Sequence, residues 1–232
     1  MALERPFIGV DFAALRRLDT CTVSDTIETF DVRLRNTGFA DSTIHCIFKD
    51  FPPMVGYAAT ARLRTDDPPI AGRTYHDRSD WWDSILQVPA PRIVVIEDMD
   101  KKPGVGAFLG DMHAAILTAV GCVGYVSNGA VRKLSRVREL GFQLFAGNVA
   151  VSHAYAHIFD FGTPVQIGGM QVHSGDLLHG DQHGLLTIPA EVASLVPAAA
   201  QQKRRKQQKV IEICRSKTFS VQKLRQALRD LD

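Results

Sequence analysis

The stretch Ile93-Val94-Val95-Ile96, the loop Lys102-Pro103-Gly104-Val105-Gly106-Ala107-Phe108-Leu109-Gly110-Asp111 and the segment Asn128-Gly129-Ala130-Val131-Arg132-Lys133 decide the fold. Four consecutive branched aliphatics fit a strand buried on both faces. The glycine loop then leads into a helix expected over residues 111–120, followed by a strand over 124–126, a helix over 134–140 and a strand over 143–145. Alternation of this kind predicts parallel β-α-β units in an α/β fold. Arg132 follows its strand across a short Asn-Gly turn, so in a parallel sheet it emerges at the same edge as the glycine loop.

Working outward, Asp11 is placed to cap a helix over 12–18, and Thr22 or Ser24 to cap a second one carrying Val23, Ile27 and Phe30 on one face. Residues 55–64 alternate as a strand does, and a loop rich in Pro, Asp and Gly follows over 65–72. A helix is expected over 80–86, ended by Pro89 and Pro91. Trp81 and Trp82 read as core or interface anchors. From Ile158 onward, short alternating segments separated by Gly168-Gly169, Ser174-Gly175 and His183-Gly184 predict an antiparallel meander. Helical pattern returns over 192–214, and Ser220 caps a last helix ending near Leu228. This divides the chain into a main domain over 1–190 and a helical extension over 191–232 that packs on its own or a neighbouring subunit.

With 232 residues, 45% of them hydrophobic and 22% charged, the chain can bury a substantial core, and its formal charge of +2 argues for neither a nucleic-acid nor a membrane partner. The N-terminal Met1-Ala2-Leu3-Glu4-Arg5-Pro6 lacks a signal-peptide pattern, and no apolar run approaches the roughly 18 to 20 residues of a membrane span. A cytoplasmic protein is expected. Cys21, Cys46, Cys122 and Cys214 are scattered and read as reduced thiols. The basic run Lys203 to Lys209 reads as a solvated helix face rather than an RNA contact, since no aromatic platform accompanies it.

The glycines of the loop fall as G-x-G-x-x-x-G, longer than the dinucleotide fingerprint and without an acid to hold a ribose, so a nicotinamide cofactor is not expected. What remains is an anion site. A helix starting at Asp111 offers the amides of Asp111, Met112 and His113 to a carboxylate. Arg132 adds a planar fork that suits a carboxylate or an enolate oxygen, with pairing to a surface acid as the alternative. Ser152-His153-Ala154-Tyr155-Ala156-His157 puts two imidazoles four residues apart, a chelating pair if helical and two hydrogen-bonded structural histidines if a loop. His179 and His183 flank a turn and are expected to bond backbone.

Taken together, Gly110-Asp111, Gly129-Ala130-Val131-Arg132, Pro164-Val165-Gln166-Ile167-Gly168-Gly169, Gly175-Asp176-Leu177 and Gly180-Asp181-Gln182-His183-Gly184 resemble the RraA-like family over about residues 11 to 200. That family includes the 4-hydroxy-4-methyl-2-oxoglutarate / 4-carboxy-4-hydroxy-2-oxoadipate aldolases and the regulator of ribonuclease E activity. The resemblance implies a swivelling β/β/α sandwich, assembly as a homotrimer or hexamer, a divalent metal (Mg or Mn), and retro-aldol cleavage of a 4-hydroxy-2-oxoacid releasing pyruvate, with oxaloacetate decarboxylation beside it. It also implies roles: Asp111 orients metal-bound water, Gly110, Met112 and His113 hold substrate, and Arg132 binds the pyruvyl group.

The family's aldolases follow that arginine with a metal-ligating aspartate and carry a further acid three positions later; this chain has Lys133 and Arg136. Magnesium wants hard oxygen ligands, so the exchange removes a ligand and adds repulsion. Three readings follow. Lys133 supplies the missing positive charge, or serves as a Schiff-base nucleophile, and lyase chemistry persists. Alternatively, catalysis is lost and the chain is a regulator or binding protein. In the third, a metal is recruited by Asp111 with His113, His153, His157 or a neighbour's Glu212.

Overall fold

The computed structural model describes residues 9–69 and 79–229; the first eight residues, the end of the 65–72 loop and the last three residues lie outside them. Strand β1 (His45–Cys46), β2 (Met54–Arg64), β3 (Arg92–Asp98), β4 (Ala107–Leu109), β5 (Cys122–Val131), β6 (Gln143–Val149), β7 (His157–Phe161), β10 (Leu177–Asp181) and β11 (Gly184–Ile188) form one mixed sheet, while β8 (Val165–Ile167) and β9 (Met170–Val172) form a separate two-stranded ribbon. The sheet runs β1-β6-β5-β3-β2-β10-β11, with β4 added to β5 and β7 to β2. Its centre, β2-β3-β5-β6, is parallel, as the strand and helix alternation predicts.

Alternation along β3 builds the layers. Ile93 and Val95 face one way, into a cluster with Val126, Phe145 and the ribbon residues Val165, Ile167, Met170 and Val172. Val94 and Ile96 face the other way, into the main core with Tyr125, Leu144 and the helices. Those helices are α1 (Phe12–Leu15), α2 (Thr20–Ile27), α3 (Ser79–Gln87), α4 (Asp111–Ala119), α5 (Leu134–Glu139) and the start of α6 (Val196–Arg215). The ribbon, sheet and helix layers are the β/β/α arrangement expected. Trp81 is buried with its ring edge-on to Phe108, and Trp82 packs against the same core. The four cysteines are free. No helix among the described residues is long and apolar enough to cross a membrane.

Several local expectations are corrected. Helix α2 is capped by Asp19, whose carboxylate accepts Thr22 N–H at 2.8 Å and the Thr22 hydroxyl at 2.7 Å, so Thr22 is a donor to the cap rather than the cap itself. Helix α1 stops at Leu15, short of Leu18, and α6 begins at Val196 after a turn. Asn128-Gly129 is no turn: β5 runs through it to Val131 with a register shift between Ser127 and Ala130. The bulge is bridged by the Asn128 side chain, which accepts Asp98 N–H at 2.7 Å and donates to Asp98 O at 3.0 Å. Nor is there one meander after Ile158. Strand β7 returns to β2, β8 and β9 leave as a ribbon, and β10 and β11 rejoin the sheet beside β2. The last helix, α7 (Val221–Arg229), is capped as expected, Ser220 Oγ accepting Lys223 N–H at 3.2 Å.

Candidate functional site

Strands β3, β4, β5 and β6 end at one edge of the sheet, the place where parallel sheets hold ligands. There a pocket of about 320 Å³ is lined by Gly110, Asp111, Met112, His113, Arg132, Lys133, Phe108, Pro69 and residues 153–157. Gly110, Asp111, Met112, His113, Arg132, Lys133, His153 and His157 thus line one cavity, whereas Arg136 and Glu212 are not part of its lining.

The glycine loop that leads there does a different job from the one expected. Gly104 N–H donates to Asp98 Oδ2 at 2.8 Å, and Gly106 N–H to Thr65 Oγ1 at 3.2 Å, so these amides are spent inside the protein. A Cβ on Gly106 would lie 2.8 Å from His153 O and from Thr65 Cβ, which is why no side chain fits beneath the pocket wall. Only the end of the loop serves the site. Gly110 enters α4 in extended conformation with no side-chain cap, leaving the first-turn amides and the positive end of the helix at the pocket. Met112 N–H is already engaged by Asp111 Oδ1 at 3.0 Å.

Arg132 is set by Leu109 O, which accepts its backbone N–H at 3.0 Å. Its side chain crosses Gly110, where a Cβ would touch Arg132 Cγ at 3.5 Å and Lys133 Cδ at 3.7 Å. Its Nε is buried and has no hydrogen-bond partner among the described residues. A buried donor left unpaired costs about 1–3 kcal/mol, so an acceptor is wanted there. Lys133 takes a left-handed backbone, φ 54°, ψ 41°, and its Nζ reaches Asp111 Oδ1 at 2.9 Å. Arg136 stands 4.0 Å from the other carboxylate oxygen. The hydrogen bond from Lys133 holds the Asp111 carboxyl below the usual range. His113 stacks on Phe108 at 4.9 Å between centroids, and burial lowers its pKa to about 4, so its imidazole is neutral at physiological pH.

The wall is an irregular loop over 152–156, with His157 opening β7. Thr65 O accepts Tyr155 N–H at 3.1 Å, and Ser152 O accepts Ala107 N–H at 2.9 Å. His153 Nδ1 meets Ala154 O at 2.9 Å and His157 Nδ1 meets Tyr155 O at 2.7 Å, so the loop reading with bonded imidazoles holds. The sequence reading missed Pro69, Phe108, Ala154 and Tyr155 as lining; the position of 152–157 just beyond a parallel strand was the signal available. His179 is fully buried with Nε2 at Leu15 O, 3.1 Å, as expected of a backbone-bonding histidine, and Nδ1 at Thr20 Oγ1, 3.1 Å. His183 bonds Asp181 instead, through its N–H at 2.8 Å and Nδ1 at 3.1 Å.

The residues do not fit a divalent metal in the manner implied by the resemblance. Asp111 is bound by an ammonium and approached by a guanidinium, and among the described residues no three His, Cys, Asp or Glu side chains gather as a metal-holding group. Glu212 lies on α6, accepting Gln208 Nε2–H at 3.1 Å.

A family model described as RraA-like, Aldolase/RraA, matches residues 20–187. A Halalkalibacterium halodurans protein named "Putative 4-hydroxy-4-methyl-2-oxoglutarate aldolase" is 30% identical over 84 residues, which are 36% of this chain and 40% of that protein, so the match spans less than half of the relative. An uncharacterized protein from Pseudomonas syringae pv. tomato str. DC3000 shares the fold with a TM-score of 0.71 at 21% identity, covering 99% of each chain. Streptomyces coelicolor RraAS2, described as an unusual member of the RNase ES inhibitor RraA protein family, does so with a TM-score of 0.65 at 21% identity, covering 84% of this chain and 93% of its own. With the family match running from α2 through β11 and enclosing most of the pocket's loops, the chain belongs to the RraA-like family.

Proposed function

We propose that the protein is a carbon-carbon lyase that binds a small 2-oxoacid between the N-terminus of α4 and Arg132 and releases pyruvate, from a 4-hydroxy-2-oxoacid by retro-aldol cleavage or from oxaloacetate by decarboxylation. The observation that carries this reading is the buried Nε of Arg132, unpartnered among the described residues, beside a helix start with no side-chain cap. A planar carboxylate or enolate supplies the acceptor both want.

In decarboxylation the bond to the departing carboxylate breaks, carbon dioxide leaves, and the electron pair moves onto the 2-oxo oxygen as an enolate that a proton later quenches. In the aldol case the 4-hydroxyl proton passes to water, the bond between C3 and C4 breaks, C4 leaves as the carbonyl of the second product, and the electron pair forms the same pyruvate enolate. Both demand positive charge fixed near one oxygen. Arg132 provides it, and Lys133 adds an ammonium where the family's aldolases place a metal ligand. Lys133 is 47% exposed and paired with a carboxylate, so the desolvation that activates a Schiff-base lysine is missing and the charge role is the one we assign. Exposed Met112, Val149, Val151 and Tyr155 around the pocket suit coverage by neighbouring subunits in a homotrimer or hexamer.

The Lys133–Asp111 pair also favours a second reading, a regulator that binds a ligand or protein without turnover. Pyruvate release from oxaloacetate, measured with magnesium and with chelator, separates the two. Chelator-resistant turnover is the expected result. Absence of turnover on oxaloacetate and on 4-hydroxy-2-oxoacids leaves the regulator reading, and turnover that needs magnesium refutes the charge role of Lys133.

A further inference from the structure

The loop that carries His153 is tied to its surroundings residue by residue. Ser152 O accepts Ala107 N–H at 2.9 Å, Ser152 Oγ accepts Ala154 N–H at 3.0 Å, and His153 O accepts Ala156 N–H at 3.0 Å. Gly106 packs against the same segment, and a Cβ there would lie 2.8 Å from His153 O. Ala154 is left-handed at φ 47°, a conformation that a non-glycine residue keeps only where its surroundings impose it. Its carbonyl meets His153 Nδ1 at 2.9 Å. A carbonyl can only accept, so Nδ1 bears the proton and the neutral ring keeps its lone pair on Nε2. The result is an imidazole of defined tautomer on a pocket that Arg132 and the start of α4 also line.

We infer that His153 is the general base of the retro-aldol reaction, its Nε2 taking the 4-hydroxyl proton of a bound 4-hydroxy-2-oxoacid; this rests on the lyase reading proposed above. With the 2-oxoacid end on Arg132 and the first-turn amides of α4, that hydroxyl lies two carbons farther along the substrate, in a cavity of about 320 Å³. The other lining groups suit the task less well. Asp111 is paired with Lys133 at 2.9 Å, a contact that lowers its pKa and weakens it as a base. His113 is pushed down to about 4 by burial, with the charge of His153 adding to the effect, so it holds a proton poorly at neutral pH. His157 has its Nδ1 on Tyr155 O at 2.7 Å but stands in register with Arg64 of β2, so a proton taken there meets a neighbouring cation. An imidazole is the side chain suited to take and give a proton near neutral pH. Nε2 accepts the proton as the bond between C3 and C4 breaks, C4 becomes the carbonyl of the departing product, and the electron pair stays on the pyruvate enolate beside Arg132. The imidazolium then passes the proton to water, and water protonates the enolate carbon. Decarboxylation of oxaloacetate has no hydroxyl proton to remove and needs no base for bond breaking.

The two reactions therefore separate a base from a residue that only shapes the wall. Full-length His153→Gln is assayed on 4-hydroxy-4-methyl-2-oxoglutarate and on oxaloacetate, by pyruvate release in the presence of chelator, with oxalate affinity measured by calorimetry. A loss of at least about a hundredfold in kcat on the first substrate is expected, while kcat on oxaloacetate and oxalate affinity stay within about threefold of wild type. In His153→Ala, added imidazole should restore aldol cleavage in proportion to its free-base concentration. A smaller loss, an equal loss on both substrates, or a selective loss in His157→Gln in place of His153→Gln overturns the inference. Wild-type decarboxylation without aldol cleavage also overturns it but spares the lyase reading, whereas wild-type protein that turns over neither substrate removes both.

Discussion

Asp98 closes β3 inside the protein and offers the sharpest test of how the site is supported. It is 2% exposed; its Oδ2 accepts Gly104 N–H at 2.8 Å and its Oδ1 accepts Asp100 N–H at 3.1 Å. Burial, with repulsion from Asp100 added, lifts its pKa from 3.8 to about 6. A carboxyl whose folded value lies above its unfolded one holds more protons folded than unfolded, so stability falls as pH rises between the two. A gap of about two units corresponds to about 3 kcal/mol at 1.36 kcal/mol per unit. That amount is lost between about pH 4 and pH 6. Asp98→Asn abolishes the titration but leaves one of the two N–H groups without an acceptor, at a cost of about 1–3 kcal/mol. The variant is therefore expected to be less stable than wild type at pH 4 and roughly level with it at pH 7. Urea unfolding at half-unit pH steps, read as midpoint and slope, measures this. Taking the difference between the two proteins cancels groups such as Asp19 and Asp181, whose folded values are lowered and whose contributions disappear as pH falls instead. A wild-type-minus-variant difference that stays flat from pH 4 to pH 7 refutes the assignment.

Three further outcomes follow from the geometry. Gly110 is in extended backbone that any residue adopts, so Gly110→Val should fold with a near wild-type melting temperature yet bind oxalate at least tenfold more weakly by calorimetry, because the branched chain displaces Arg132. Gly147→Ala puts a Cβ 2.3 Å from Asn128 O, a backbone atom held by the bulge, and should cost more than about 2 kcal/mol in urea unfolding; a smaller loss would mean the bulge yields easily. Lys133→Gly relieves a left-handed non-glycine residue worth about 1–2 kcal/mol and removes an exposed ion pair of small value, so the unfolding midpoint should rise while oxalate binding weakens.

The parallel centre was legible because a run such as Ile93 to Ile96 carries its own burial signal, and residues that follow parallel strands must share an edge. The sequence alone thereby brings Asp111 and Arg132 to one edge. That reasoning fails wherever the deciding partner is remote in sequence. Asn128-Gly129 has the local signature of a turn, yet the Asp98 backbone, brought alongside by the sheet, accepts the Asn128 side chain as a substitute rung and keeps the strand going. The glycine loop likewise looks like an anion cradle until Asp98 and Thr65 are seen to take its amides. The wall at 152–157 has no periodicity to read, since its shape is imposed by Thr65 O and by the lack of a side chain at Gly106.

Lys133 shows where local and global demands part. It is the N-cap of α5, a position at which Asp, Asn or Ser would accept a first-turn N–H, but its side chain makes no such bond. It also sits at φ 54°, where Gly or Asn is far cheaper than lysine. Backbone physics alone would choose Gly, Asn or the aspartate that the family's aldolases carry, which tolerate this conformation better than lysine. A lysine held against both preferences is accounted for by what its ammonium reaches, the Asp111 carboxylate at 2.9 Å, on the rim of the pocket that Arg132 shares. Departures from local consistency of this sort concentrate at functional positions. The inverted charge at Lys133, rather than the fold, is thus the property of this chain on which the proposed chemistry turns.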